Sequence, residues 1–156
     1  ELCQLHTEDI IEIDDVFCIH INDSRDDQGL KNLQSPRIIP LHPRLIEAGF
    51  IDYIKKTHKD TPDGLIFPTL TKTKGKYSHN VSKWFSRVAK HVGLESGKTF
   101  HSYRHTMADK LRDQGAQDYV IKRILGHATQ SETHDRYGSN RNANLLAHAI
   151  HQVSYR

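Results

Sequence analysis

The sequence has few cysteines and contains no long apolar run. Two cysteines, Cys3 and Cys18, among 156 residues are too few for a disulfide-built scaffold. No apolar run approaches the ~18 residues of a membrane-spanning helix, and no basic stretch followed by an apolar run opens the chain as in a secretory signal. Five prolines and nine glycines exclude a collagen-like or Gly/Pro-rich chain. What is left is a globular domain long enough to bury a core.

Charge is segregated along the chain, although the net charge is only +3. Residues 1–30 hold nine acids and one base, whereas residues 68–113 hold ten bases and three acids. A segregated basic segment is the charge pattern of a protein that binds a polyanion. A lysine-rich solvated helix face has the same composition, so charge alone leaves both interpretations open.

The first forty residues carry strand patterns. Alternating apolar residues predict strands over residues 11–13, 16–21 and 37–41, with a turn at Asp14-Asp15 between the first two. Residues 1–5 have the pattern of the end of a helix. The sequence therefore predicts a small antiparallel sheet of three strands near its start.

From Pro43 onward the apolar spacing becomes helical. A first helix is expected to begin at Pro43 and to be split at Gly49. Ser78 is expected to cap a helix whose apolar face comprises Val81, Trp84, Phe85, Val88 and Val92. Further helices are predicted over residues 101–114, 117–125 and 142–153, with a short helical stretch over 131–137. We expect one α+β domain over residues 1–156, mostly helical, in which the sheet precedes a helical bundle.

Four residues are candidates for chemistry. His101 and Arg104 are three residues apart and share a helix face, with a guanidinium suited to phosphate oxygens beside an imidazole that titrates near neutral pH. His127 directly follows the helix-ending Gly126, and Tyr137 lies ten residues further on. Taken singly, each of these fits a surface pair, a packing histidine or a half-buried aromatic residue.

Histidine is abundant, with twelve residues, which raises the question of a metal site. His101 and His105 have the i, i+4 spacing of helical metal ligands. However, no glutamate of the metalloprotease type lies between them, and no third ligand is evident. We therefore expect no metal.

The combination of these motifs resembles the catalytic end of the tyrosine recombinase (phage integrase) family. That family has His-x-x-Arg, then Leu-Gly-His, then a nucleophilic tyrosine; here these are His101-Ser102-Tyr103-Arg104, Leu125-Gly126-His127 and Tyr137. The segment LKNLQSPRIIPLHP resembles the family's β-hairpin and maps its catalytic lysine onto Lys31. The segment ELCQLHTEDI resembles the stretch after the first catalytic arginine, so that Glu1 matches the Glu of Arg-x-x-Glu-Leu.

This chain departs from the family pattern in three places. The first catalytic arginine would lie three residues before Glu1, and it is not in the sequence. We therefore expect a fragment of a longer integrase, without the N-terminal DNA-binding domain. The interval from His127 to Tyr137 is one residue longer than the commonest spacing in the family. Pro36 in the hairpin leaves the register of Lys31 open.

The resemblance implies DNA cleavage and rejoining without a cofactor. Tyr137 would attack the scissile phosphate and form a 3′-phosphotyrosyl link. Arg104 and His127 would stabilise the charge on the phosphoryl oxygens. His101 would assist removal of the tyrosine proton, and Lys31 would protonate the leaving 5′-oxygen. Glu1 would lie next to the catalytic residues and help to position them, without contacting the reacting atoms.

The resemblance also implies partners and a cellular location. The substrates would be double-stranded DNA attachment sites, with other protomers joined in a synaptic tetramer through the helix over residues 142–153, and with DNA-bending accessory proteins. The residues expected to line the DNA backbone are Lys72, Lys74, Lys76, Lys83 and Arg87. The protein is expected in a bacterial cytoplasm.

Three other functions compete with site-specific recombination. A type IB topoisomerase would use the same chemistry without a partner protomer. A non-catalytic DNA-binding remnant is compatible with the absent first arginine, and the presence of all the other motif residues argues against it. A metal-dependent hydrolase would require a carboxylate–histidine cluster, which the sequence does not offer.

Overall fold

The computed structural model describes residues 1–30, 36–61, 64–127 and 139–154, and for residues 139–142 it describes the backbone only. Two 3₁₀ turns, Leu2–Gln4 and Thr7–Asp9, precede three strands and six helices. The strands are β1 (Ile10–Ile13), β2 (Val16–Ile21) and β3 (Arg37–Pro40). The helices are α1 (Pro43–Glu47), α2 (Phe50–Asp60), α3 (Ser78–His91), α4 (Ser102–Asp113), α5 (Asp118–Leu125) and α6 (Ser139–His151). This order confirms the predicted α+β, mostly helical fold.

The three strands form one antiparallel sheet in the order β1-β2-β3. Asp14 and Asp15 connect β1 to β2 with φ values of 49° and 63°, the left-handed pair that a two-residue hairpin turn requires. The β2–β3 register sets Ile21 opposite Arg37 and Cys18 opposite Pro40. Since β3 is an edge strand, it tolerates a proline, which has no N–H to donate.

The helices largely follow the predicted boundaries. Gly49, with φ of 83°, separates α1 from α2 as expected. Ser78 is the first residue of α3 and not its cap, because Tyr77 occupies the N-cap position and makes no side-chain capping hydrogen bond. The pattern of residues 1–5 forms a 3₁₀ turn and not the end of an α-helix. The stretch predicted over residues 131–137 lies outside the described residues.

The apolar face predicted for α3 is mostly exposed. Phe85 is 8% exposed, whereas Trp84 is 54% and Val92 is 61% exposed. The Phe85 ring packs edge-on against Phe100 and Tyr103, with centroids 5.5 and 5.9 Å away. The helix buries a narrow stripe because it packs through Phe85 and the small Ala89, four residues apart, and not through the full apolar face.

The hydrophobic core has two described clusters. One lies between α4, α5 and α6 and is built of Ala108, Leu111, Val120, Ile121, Ile124, Leu125, Leu146, Ile150 and Val153. The other lies beside the sheet and is built of Leu5, Ile21, Ile54 and Ile66. Ile39 of β3 packs against both. The third strand therefore joins the sheet to the helical bundle.

Helix α6 packs on its own domain. Beyond its apolar contacts, the His42 ring lies 2.9 Å from the Val153 carbonyl oxygen, and the His151 ring lies 3.1 Å from the Leu41 carbonyl oxygen. These contacts fix both the last residue of α6 and Val153, two residues beyond it, to the segment that follows β3. In the described ranges, no helix combines the length and apolarity needed to cross a membrane.

Adjacent leucines of α6 give a test of this packing. Leu146 is 2% exposed and Leu145 is 41% exposed. We expect Leu146→Ala to lower the free energy of unfolding by about 2–5 kcal/mol, because it opens a cavity in a buried cluster. Leu145→Ala is expected to cost less than about 1 kcal/mol. Urea denaturation of both variants measures the difference, and equal losses would show that α6 does not pack as described.

Candidate functional site

The first turn of α4 carries His101 and Arg104. His101 occupies the N-cap position, and its carbonyl accepts a hydrogen bond from the Arg104 N–H at 3.0 Å. The His101 side chain is exposed and that of Arg104 is half-buried. The His101 ring meets the His105 ring edge-on at a centroid distance of 5.2 Å. The His-x-x-Arg motif is thus presented at the open end of a helix.

The turn after α5 presents His127. Gly126 has φ of 68°, a left-handed conformation that favours glycine. Its N–H donates to the Arg123 carbonyl at 3.3 Å, and the His127 N–H donates to the Lys122 carbonyl at 2.9 Å. This pair of bonds is a Schellman ending, which satisfies helix carbonyls that otherwise lack partners. The backbone of the Leu-Gly-His motif is therefore held firmly while its imidazole stays exposed.

Arg104 and His127 lie in one positively charged region. Partial desolvation, followed by the charge of Arg104, holds the pKa of His127 below its usual value, and Arg37 adds to the effect. Burial and then the charge of Arg37 lower the pKa of Arg104, while Glu1 opposes the change. Because α4 packs against α5 in the hydrophobic core and the Arg104 charge acts on the His127 ring, the two motifs that are separated in sequence lie near one another in space. An imidazole and a guanidinium side by side are suited to bind an anionic ligand.

Glu1 reaches this region through Arg37. Its carboxylate oxygens accept hydrogen bonds from Arg37 at 3.2 and 2.7 Å. Desolvation raises the Glu1 pKa, but the hydrogen bonds and charge of Arg37 outweigh it, so that the net pKa lies below its usual value. Arg37 is not among the residues that the sequence motifs offered as functional. The signal was its place as the basic residue directly before Ile-Ile-Pro-Leu.

Two of the predicted catalytic residues lie outside the described residues. They are Lys31 and Tyr137. Their positions relative to Arg104 and His127 stay predictions.

The basic segment contains a tight turn that exposes lysines. Thr73 and Lys76 exchange backbone hydrogen bonds of 3.1 and 3.2 Å. Lys74 and Gly75, at the tip, have φ of 53° and 75°. Lys72 stands beside the turn with its ammonium 5.1 Å from the centre of the Tyr77 ring, within the range of a cation–π contact.

Helix α3 extends this basic surface. Lys83 and Arg87 are exposed and flank a shallow groove that His79, Ser82 and Ser86 also line. Within the described part of the chain, none of the five predicted DNA-contacting residues forms an ion pair. Their charge is therefore available to an external polyanion.

The described residues contain no group of three or more His, Cys, Asp or Glu side chains placed to hold a metal ion. The only metal-like spacing that the sequence suggested here, His101 with His105, is a ring-to-ring contact.

The electrostatic coupling at the site predicts a measurable change at His127. We expect Arg104→Gln to raise the His127 pKa, because Arg104 lowers that pKa more than any other charged residue does. Titration of the imidazole Cε1 proton by NMR measures this pKa. Arg87→Gln on α3 is the control and should leave it unchanged. If the His127 pKa is unchanged in Arg104→Gln, the two motifs do not interact electrostatically.

Comparison with known proteins agrees with these motifs. The model of the phage integrase family matches residues 1–144. The tyrosine recombinase XerA of Pyrococcus horikoshii is 31% identical over 134 residues, which cover 85% of this chain and 42% of that protein. The chain thus spans less than half the length of this relative. No solved structure matches. Because the family model covers nearly the whole sequence, including both motifs, this chain belongs to the phage integrase family and is a tyrosine recombinase catalytic domain.

Proposed function

We propose that this chain is the catalytic domain of a longer site-specific DNA recombinase that works through a 3′-phosphotyrosyl intermediate. The observation that carries the proposal is the packing of α4 against α5, which brings the Arg104 and His127 motifs together in one positively charged region. A phosphodiester passing through a more highly charged transition state needs this environment. Family membership supports recombination as the general activity.

The proposed reaction exchanges one phosphodiester for another. The Tyr137 oxygen attacks the scissile phosphorus, a P–Oη bond forms, and the bond from phosphorus to the 5′-oxygen breaks. His101 takes the phenol proton, and Lys31 gives a proton to the departing 5′-oxygen. The 5′-hydroxyl of another strand then reverses both steps. Because the ester broken and the ester formed have similar energies, the reaction needs no nucleotide cofactor.

Arg104 and His127 have distinct tasks in this proposal. The Arg104 guanidinium offers a planar fork to two phosphoryl oxygens. His127, held by the turn that ends α5, donates a ring N–H to the same group. Loss of one such donor costs on the order of 10²–10³ in rate. The surrounding positive field also favours ionisation of a phenol whose pKa is ordinarily about 10.

The exposed basic surface is proposed to hold the DNA backbone. The Lys74 turn and the Lys83 and Arg87 side of α3 would contact phosphates and fix the position of the duplex, while contributing little sequence choice. In the cell the substrates would be attachment sites on cytoplasmic DNA, assisted by DNA-bending proteins.

The C-terminal helix is proposed to contact other protomers. The segment 142–153 is proposed to dock onto a neighbouring protomer in the synaptic tetramer. In the isolated chain Leu146, Ile150 and Val153 are buried in their own domain. Docking in trans would therefore use the exposed Leu145 side or would require α6 to exchange between protomers.

The nucleophile is tested with covalent capture. The natural full-length protein is mixed with nicked genomic DNA of its source in EDTA, denatured, and examined for protein-linked DNA. We expect an adduct with the unsubstituted protein and none with Tyr137→Phe, because the attacking oxygen is gone. Sequencing the captured DNA gives the attachment site.

Tyr119→Phe is the matched control, since Tyr119 is an exposed tyrosine at the start of α5. It should form the adduct normally. An adduct that survives in Tyr137→Phe would move the nucleophile elsewhere. No adduct with intact DNA binding would favour a non-catalytic binding module, and relaxation of supercoiled DNA by a single protomer would favour a topoisomerase.

The basic surface is tested by removing lysines in threes. We expect the triple change of Lys72, Lys74 and Lys76 to Ala to weaken binding of a short duplex. It should also reduce the slope of log K against log salt by about 2–3, because up to three phosphate contacts are lost. The control is the triple change of Lys55, Lys56 and Lys59 to Ala on α2, which alters net charge equally. If both triple variants lose the same affinity for the duplex, the effect comes from net charge and not from a DNA-contacting surface.

A further inference from the structure

We propose that Arg37 is a positioning residue of the recombinase site, which locks the Leu125-Gly126-His127 turn to Glu1 and to the edge strand β3. The inference rests on the proposed function and adds to it a residue outside the two catalytic motifs. Arg37 would act without touching the DNA, since its side chain is only 8% exposed.

The Arg37 guanidinium joins three separate segments of the chain. Its backbone is fixed in β3 opposite Ile21. Its two terminal nitrogens donate to both carboxylate oxygens of Glu1, and its Nε donates to the Ile124 carbonyl at 3.2 Å. A bidentate pair of this kind fixes the plane of the guanidinium as well as its position. The contact with Ile124 brings a positive charge to the C-terminal end of α5, where the helix dipole favours it.

The Arg37 guanidinium lies so close to Gly126 that it leaves no space for a side chain there. A Cβ atom added at Gly126 would lie 2.8 Å from Nη1, 2.9 Å from Cζ and 3.0 Å from Nε of Arg37. The guanidinium therefore lies directly against the backbone that presents His127. Glycine is required here for two independent reasons, the left-handed φ of 68° and the absence of space.

The charge of Arg37 also reaches the catalytic motifs. It acts on both Arg104 and His127, in each case lowering the pKa. Two guanidiniums near one another repel, and the Glu1 carboxylate, which is paired with Arg37, compensates for that repulsion at Arg104. Arg37 and Glu1 thus form a support that holds positive charge behind the phosphate site without closing it.

The geometry gives a specific expectation for substitution. Arg37→Gln removes the charge and the fork, whereas Arg37→Lys keeps the charge and loses the bidentate geometry. Misplacement of a catalytic group by about 1 Å can cost on the order of 100-fold in rate. We therefore expect a loss of roughly 10–100-fold in single-turnover cleavage for Arg37→Gln and partial recovery in Arg37→Lys. Binding of the same duplex should change less than about twofold, since Arg37 makes no phosphate contact.

A second measurement does not depend on cleavage. The His127 amide is hydrogen-bonded within the turn, so loosening the turn should speed its hydrogen exchange by about tenfold in Arg37→Gln. The same variant should raise the His127 pKa. The exchange rate and the pKa are both measured by NMR on the protein without DNA. If Arg37→Gln does not fold, the same measurements are made on Arg37→Lys. Arg25→Gln is the control. It breaks another arginine–glutamate pair, which Arg25 forms with Glu8 in the second 3₁₀ turn.

The outcomes separate the two proposals. Faster exchange at His127 with slower cleavage, at unchanged duplex binding, supports the positioning role. Faster exchange of the His127 amide in a protein that never forms a covalent adduct shows that Arg37 holds the turn, and it rejects the proposed function. Unchanged exchange and unchanged cleavage in a folded Arg37 variant overturn the inference. A loss of activity that equals the loss of folded protein, or that Arg25→Gln reproduces, overturns it as well.

Discussion

The candidate site depends on the packing of one buried guanidinium against the turn that ends α5. Arg37 lies at the start of the edge strand, while the turn belongs to the helical bundle. The contact therefore crosses from the sheet to the bundle, next to the place where Ile39 joins the two hydrophobic clusters. Moving β3 relative to α5 would alter both the core and the position of His127, so that stability and site geometry are linked.

The electrostatics of the site follow from the same arrangement. Burying a cation costs free energy unless it is paired and hydrogen-bonded. Glu1 supplies the pairing for Arg37, and the Ile124 carbonyl supplies a further acceptor. Arg104 then lies close to a positive charge that is only partly compensated. The site is left with a surplus of positive charge and an imidazole whose pKa is lowered, a combination suited to a phosphodiester.

Much of this arrangement could be predicted from the sequence, because it rests on local rules. Alternation gave β2 with its exact limits, and Gly49 and Gly126 marked helix ends through positive φ. The motif spacing pointed to His101, Arg104 and His127, and their catalytic roles stay predictions. The exposed face of α3 was mispredicted because periodicity reveals which residues share a face and not whether another element covers it. Arg37 was missed because its partners, Glu1 and Ile124, are 36 and 87 residues away along the chain.

We propose that Tyr137 forms a covalent bond to DNA in a site organised by Arg104 and His127. This bond is tested most directly by mass spectrometry of the protease-digested protein–DNA adduct, captured in EDTA from the natural full-length protein. We expect a deoxynucleotide attached through a 3′-phosphate to the peptide that contains Tyr137. A nucleotide attached to any other tyrosine, or to a serine or histidine, would contradict it.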